Sequence, residues 1–482
     1  MLTLALILFP LAIALLLIPV RHEADARKIA LTGALAEAGL AVAAFITYRY
    51  GCPCHLGYSI NWFAEPGMGL RFGLDGISLL MVMLTAILVP VIVASAFSRS
   101  RTSPGAFFSL VMLMEAALVG VFASSNGLVF YIFWELALIP AWFICALWGG
   151  HDRIRITFKF FVYTFAGSLL MLVAILWLWF RTPVPHSFDI RWLSQARIST
   201  AEQAWIFAAF FLAFAIKIPV FPFHTWQPDT YTTAPAQGSM LLAGIMLKMG
   251  LFGMIRWMIP LAPEAVQQHA PLVIGLAVAG IVYASVIALR QDDMKRLIAW
   301  SSIAHVGLIA AGIFTLTPYG LQGAVIQMVS HGINITGLFI VTDLIEKRSG
   351  TRSLALLGGI ARKAPRLAAV FMILLLGSVA LPLTNGFVGE FLLLAGLFKY
   401  SVTASAVAGM TIILGAVYML RMYQKAMLGE PAGATLEFAD LSWKETTLFV
   451  PLIILVFWIG IAPGFFLDLS LPDIMELLTM TG

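Results

Sequence analysis

Charge is what this sequence has least of. Of 482 residues only 11% are Asp, Glu, Lys or Arg, 61% are hydrophobic, and the mean hydropathy is +0.96. A water-soluble domain is roughly 25% charged, so a soluble fold of this size is excluded and lipid must be the solvent. Cysteine is scarce as well. Two of the three stand in Cys52-Pro53-Cys54-His55, a spacing that fits no standard zinc pattern, and Cys145 is alone in an apolar run. They point to no metal or redox role. The chain has no Gly-rich dinucleotide loop and no cysteine set for an iron–sulfur cluster. It also lacks the alternating ten-residue pattern of a membrane barrel. No positive charge precedes the first apolar run, while Arg21, Arg27 and Lys28 follow it, so that run is not a secretory signal.

What the chain does have is apolar runs of about 20 residues, the length that crosses a bilayer as a helix. Fourteen are expected, at 2–20, 28–48, 73–97, 105–122, 127–148, 157–180, 204–224, 230–259, 271–289, 297–316, 319–344, 366–398, 403–428 and 446–467. The fold class is all-α membrane protein, because backbone polar groups in lipid must be paired within the segment. Twenty of the 29 Lys and Arg fall in loops that follow odd-numbered spans, seven fall in the other loops, and Lys217 and Lys248 lie inside spans. The positive-inside rule then places both termini outside and the basic loops in the cytoplasm. The net charge of +5 is an orientation signal of this kind, and not a nucleic-acid signal.

Two spans are interrupted. Span 7 breaks at Pro219 and Pro222, and span 12 breaks in "ALPLTNGFVGEFLLL" at Pro382, Asn385 and Gly386. Each has one ionisable residue close by, Lys217 and Glu390. Two spans before each stands another: Glu135 precedes Lys217 by 82 residues, and His305 precedes Glu390 by 85. An offset of five spans inverts the second unit relative to the first, so spans 4–8 and 9–13 read as inverted repeats with paired broken helices, the arrangement expected where ions cross the midplane. The expected organisation is an N-terminal three-helix region at 1–104, a first five-helix repeat at 105–259, a second at 271–428, and a C-terminal helix and tail at 446–482.

A charge at the centre of a spanning helix costs at least ~2.5–3.5 kcal/mol and is functional by default. The candidates are Glu115, Glu135, Lys217, Lys248, His305, His331 and Glu390. Each has a plainer reading: Glu135 snorkels to an interface, Lys217 caps carbonyls freed by the prolines, the histidines are neutral and satisfied by Ser, Thr or Asn neighbours, and one face of span 4 meets water at Glu115. Lys248, halfway along its span with no proline to serve, resists such an explanation. His224 and Asp229 sit at the turn between spans 7 and 8, where capping of span 8 accounts for Asp229. Taken together the residues form a row of titratable groups, the mark of a proton relay. In that reading Glu135 switches Lys217 between holding and releasing its proton. A haem cytochrome with His305 and His331 as axial ligands is a rival from another class, but it leaves Lys217, Lys248 and Glu390 unexplained.

The segments "FWELALIPAWF", "AIKIPVFPFHTWQPD", "GSMLLAGIMLKMGLFG", "SSIAHVG", "SHGINITGLF" and "NGFVGEFLLL" resemble the antiporter-like membrane subunits of respiratory complex I over roughly residues 70 to 428. The resemblance implies fourteen spans with two inverted five-helix repeats. It implies a proton relay in which Glu135 and Lys217 are the coupling pair, Lys248 the centre, His305 and His331 its extension, and Glu390 the outlet. It also implies membrane-arm partners, among them sister subunits L and N, in a bacterial inner membrane. NADH, FMN, iron–sulfur clusters and quinone are then expected in partner subunits and none of them on this chain. Glu390 sets the chain apart from L and N, which are expected to carry lysine there, as does its end soon after span 14 without the long lateral helix typical of L. "HTWQPDTYTTAP" departs from the family's common "HTWLPDAHTEAP", which weakens a relay role for His224 and Asp229. Mrp-type cation/proton antiporters and membrane-bound hydrogenases carry similar subunits, so sodium coupling stays open at this stage.

Overall fold

Apolar segments in lipid leave no water to pair the backbone, and the chain answers with helices. In a computed structural model, which describes residues 1–61, 69–184, 186–431 and 433–480, the fold is mostly helical, at 79%. In chain order the main elements are α1 Leu2–Leu17, α2 Glu23–Tyr50, a hairpin of β1 Tyr58–Asn61 and β2 Gly69–Phe72, α3 Gly76–Ser95, α4 Pro104–Ala123, α5 Gly127–Trp148, α6 Arg153–Arg181 and α7 Thr200–Lys217. They continue with α8 Ala236–Leu261, α9 Pro263–Leu289, α10 Met294–Ile313, α11 Pro318–Ser349, α12 Pro365–Ser378, α13 Asn385–Tyr400, α14 Val402–Met427, α15 Trp443–Ile461 and α16 Gly464–Thr479. Twelve helices among the described residues are long and apolar enough to cross a membrane, and α1 and α12 are shorter apolar helices. The chain is thus a multi-pass membrane protein; fourteen full-length spans are the sequence expectation. Span 14, expected to run to 467, stops at Ile461 ahead of Pro463, and a separate helix, α16, follows. The antiparallel hairpin pairs Tyr58 with Phe72 and lies in a loop where no strand was expected. In the same loop a disulfide joins Cys52 and Cys54, a covalent role the sequence reading did not assign.

The chain forms two compact units. The first is Met1–Ile218, Ile245–Ala270 and Leu469–Gly482; the second is Pro219–Gly244 and Pro271–Asp468. In the first, α3 and α4 are buried over most of their length and α2 presents a seam of Ala26, Ala30, Gly33, Ala34, Ala41 and Ala44. Helix α8 closes on the end of α7: a Cβ added at Gly250 would lie 2.3 Å from an Ile218 methyl and 3.1 Å from the Phe214 carbonyl oxygen. Only glycine permits that approach.

Both breaks are present, and their exits match. Ile218 follows α7 with φ −92°, ψ 17° and donates its N–H to Phe214 O; Val379 follows α12 with φ −94°, ψ 15° and donates to Leu375 O. The second break differs from expectation in one respect. Asn385 and Gly386 start α13 and do not end α12; Pro382 lies in the gap. Gly386 is required there, since a Cβ would lie 2.0 Å from Gly377 O. Consequently Lys217 and Glu390 are not positional equivalents. Lys217 is the last residue before its break, where the second unit has Ser378, and Glu390 lies in the helix after its break.

Helix α16 docks in the first unit through Asp473. Its Oδ2 accepts the Ile77 N–H at 3.1 Å, beside Asp75, whose Oδ1 accepts the Ser78 N–H at 2.8 Å and whose Oδ2 lies 2.6 Å from Arg256 Nη1. These groups line a cavity of about 310 Å³ that also reaches Arg191 and Glu476. Burial, with Asp75 adding to it, pushes the Asp473 carboxyl up to about 7. A carboxyl raised in the docked state favours docking below its free value and loses that contribution as pH rises through about 7. Amide exchange at Ile77 and along α16, corrected for intrinsic rate, is therefore expected to quicken between about pH 5 and about pH 8. Asp473→Asn should flatten the profile.

Candidate functional site

In the first unit the charged groups come from α5, α7 and α8. Asn126 starts α5 by accepting the Leu128 and Val129 N–H groups, which sets the helix that carries Trp134 and Glu135. The Ser199–Glu202 capping box starts α7, and Lys217 is its final residue. Lys217 is 2% exposed and its Nζ has no hydrogen-bond acceptor among the described residues. It lies 5.3 Å from the Trp134 ring centre, a cation–π distance, and interacts with Glu135 through space. Glu135 is half-buried and has Ser168 as a hydrogen-bond partner. It neither snorkels freely nor locks Lys217 in a tight ion pair. Lys217 also does not cap carbonyls at the break, as the plainer reading would have it.

Lys248 is fully buried. It opens a six-residue α segment set between two π-helical stretches, Leu242–Met246 and Met254–Met258. Such bulges are rare and frequent at functional sites. Gly250 brings this helix against Lys217: a Cβ there would touch Lys217 Cβ at 3.4 Å.

In the second unit His305 Nδ1 lies 2.9 Å from Glu390 Oε1, and Gln327 Nε2 donates to the same oxygen at 3.3 Å. The His305 and His331 rings are 6.0 Å apart, and His331 Nε2 is 3.1 Å from Ser302 Oγ. Asn334 donates to Asn385 Oδ1 at 3.1 Å, and Ser330 Oγ donates to Asn385 O at 3.0 Å, which ties the start of α13 to α11. A cavity of about 10 Å³, room for about one water, lies among His305, His331, Gln327, Asn334 and Ser378. A space that small has no place for a porphyrin between the two imidazoles, each of which already faces a polar partner.

The outlying candidates fall elsewhere. His224 is buried and packs on Phe221, Tyr283 and Trp300. Asp229 does not cap α8; it lies inside a separate helix, Gln227–Thr233, and faces Arg296 at 3.3 Å. Pro235 splits the expected span 8 and takes the cap position of α8, while Pro228 starts the short helix before it. Glu115 is fully buried on α4, so the reading in which it meets water fails. Sequence reading missed Glu37, equally buried in α2, although the rule for charges within spans would have found it. It also missed Trp134, Gln327 and Ser302, which are ordinary residues in an apolar helix until packing shows what they face. Among the described residues no group of three His, Cys, Asp or Glu could hold a metal ion.

Comparison with known proteins agrees with this geometry. Residues 124–415 match the family described as NADH:quinone oxidoreductase/Mrp antiporter, TM. NADH-quinone oxidoreductase subunit M of Rickettsia conorii is 42% identical over 420 residues, 86% of this chain and 85% of the relative. A chain of respiratory complex I from Thermus thermophilus with bound NADH superposes over the full length of both chains with TM-score 0.93 and 33% identity. A chain of the Mrp complex from Dietzia sp. DQ12-45-1b gives TM-score 0.85 at 20% identity over 100% of this chain and 99% of its own, a likeness of fold. The chain belongs to the NADH:quinone oxidoreductase/Mrp antiporter membrane family, in the branch of the NADH-quinone oxidoreductase M subunits.

Proposed function

We propose that this chain moves protons across the membrane as a membrane-arm subunit of an NADH–quinone oxidoreductase, through Glu135, Lys217, Lys248, His305, His331 and Glu390, while NADH oxidation and quinone reduction occur in other subunits. The observation that carries the relay is Lys217, a buried ammonium with no hydrogen-bond acceptor, held over Trp134 with Glu135 acting through space. An amine so placed holds its proton only as strongly as its neighbours allow. When Glu135 is ionised and near, the ammonium is favoured; when Glu135 is neutral or withdrawn, the proton leaves for Lys248. Within the second unit His331, His305 and Glu390 carry a proton in the same way, with the single-water cavity between the two rings. Moving one charge against ~150 mV costs ~3.5 kcal/mol. Redistribution of one buried ion pair is of that order.

The proposal includes a setting in the bacterial inner membrane with both termini outside, and sister subunits L and N as neighbours. His224, Asp229 and Glu115 are left out of the relay. An Mrp-type antiporter is the alternative, supported by the shared family and by likeness of fold. Extraction in mild detergent decides between them. The chain should leave the membrane with NADH–quinone oxidoreductase partners and NADH–quinone activity, and recovery with cation/proton antiporter subunits would reject the assignment.

Glu135→Gln or Lys217→Ala should leave assembly intact yet lower proton pumping and coupled turnover by about tenfold or more, the change that ~1.4 kcal/mol produces. Normal pumping in an assembled variant would sink the switch. Glu390→Lys should retain more pumping than Glu390→Ala. A lysine there can donate to the buried, unpaired Gln327 Oε1, whereas alanine removes the carboxylate 2.9 Å from His305 Nδ1 and adds no donor. Equal loss in the two would count against a titratable role.

A further inference from the structure

Two buried carboxyls of the first unit, Glu37 and Glu115, have no part in the proposed relay. Glu37 sits midway along α2, on the Ala and Gly seam, and Glu115 sits on α4, which packs against α2. Both residues are 0% exposed, and the charge of Glu37 acts on Glu115 through space. None of their four carboxylate oxygens has a hydrogen-bond partner among the described residues.

Of the buried hydroxyls on α3 and α4, Thr85 donates to Met81 O and Ser109 to Ala14 O. Along α2 the nearest basic residues before Glu37 are Lys28, which is exposed, and Arg27, which is paired with Glu23 at 2.6 Å. Two bare carboxylates in such surroundings would be unpaired charges of like sign, buried together. A metal cation would not resolve this. Among the described residues no third His, Cys, Asp or Glu joins the pair to hold a metal ion. A proton resolves it: it binds one carboxylate oxygen as an O–H, removes a charge, and supplies the donor that the facing carboxylate lacks.

We infer that Glu37 and Glu115 form a buried dicarboxylate proton store, with at least one carboxyl protonated at neutral pH, at the seam between the N-terminal helices and α4.

Infrared spectroscopy of the assembled complex in liposomes tests this through the C=O absorption of protonated carboxylic acids, recorded in H₂O and D₂O. Glu37→Gln and Glu115→Gln should each lower that absorption, and removal of one carboxyl should shift the band of the other. If neither variant loses carboxylic acid absorption, both groups are ionised and the inference is overturned. If Glu37→Gln fails to assemble, Glu37→Asp keeps a carboxyl at a changed distance and should move the band; an unmoved band overturns the inference. Sodium chloride added at fixed pH should leave the absorption unchanged. Its loss on sodium addition would mean that a cation occupies the pair, against the inference.

Discussion

A charge buried among lipid-spanning helices must either find a counter-charge or give up its proton, and this constraint shapes both units of the chain. The first unit keeps its amine loosely partnered. Lys217 Nζ rests over the Trp134 ring, has no hydrogen-bond acceptor, and senses Glu135 only through space. The second unit holds its charge closely. His305 and Glu390 are 2.9 Å apart, and Gln327 steadies the carboxylate. The two units thus hold their buried ionisable groups in different ways, one at a distance and one in close contact.

The helix breaks make both arrangements possible. Each break removes the next turn of helix and leaves the side chain before it, or the turn after it, in protein interior instead of lipid. The matched dihedrals of Ile218 and Val379 show one device used twice. The side chains around it diverge: lysine before the first break, serine before the second, and glutamate only after α13 has begun. Similar backbone with different titratable groups is what a transporter built from repeats allows, since the backbone fixes position and the side chain fixes chemistry.

Much of this was legible in the sequence. Apolar run length located the helices, and prolines located the breaks. The cost of a buried charge singled out Glu115, Glu135, Lys217, Lys248, His305, His331 and Glu390. What stayed hidden was relational. Trp134 as the seat for Lys217, Gln327 as the partner of Glu390, and Asp473 against the first turn of α3 all depend on packing between distant segments. The equivalence drawn between Lys217 and Glu390 came from spacing alone, and spacing cannot tell which side of a break a residue occupies. Asp229 was read as a cap because Pro228 and Pro235 hide a short extra helix. Glu37 was overlooked inside an alanine-rich run. The hairpin and α16 gave no periodic signal strong enough to stand apart from loop.

The two π stretches of α8 carry a geometric consequence. Each accommodates one residue more per turn than regular helix, so the side chains on either side are out of phase with an unbroken α-helix. Deleting one residue from 242–246 would restore that phase and rotate the preceding turns about 100° relative to Lys248, the angle one residue subtends. Which way the ammonium points is in this sense a matter of counting: it is set by an inserted residue as much as by anything the lysine touches.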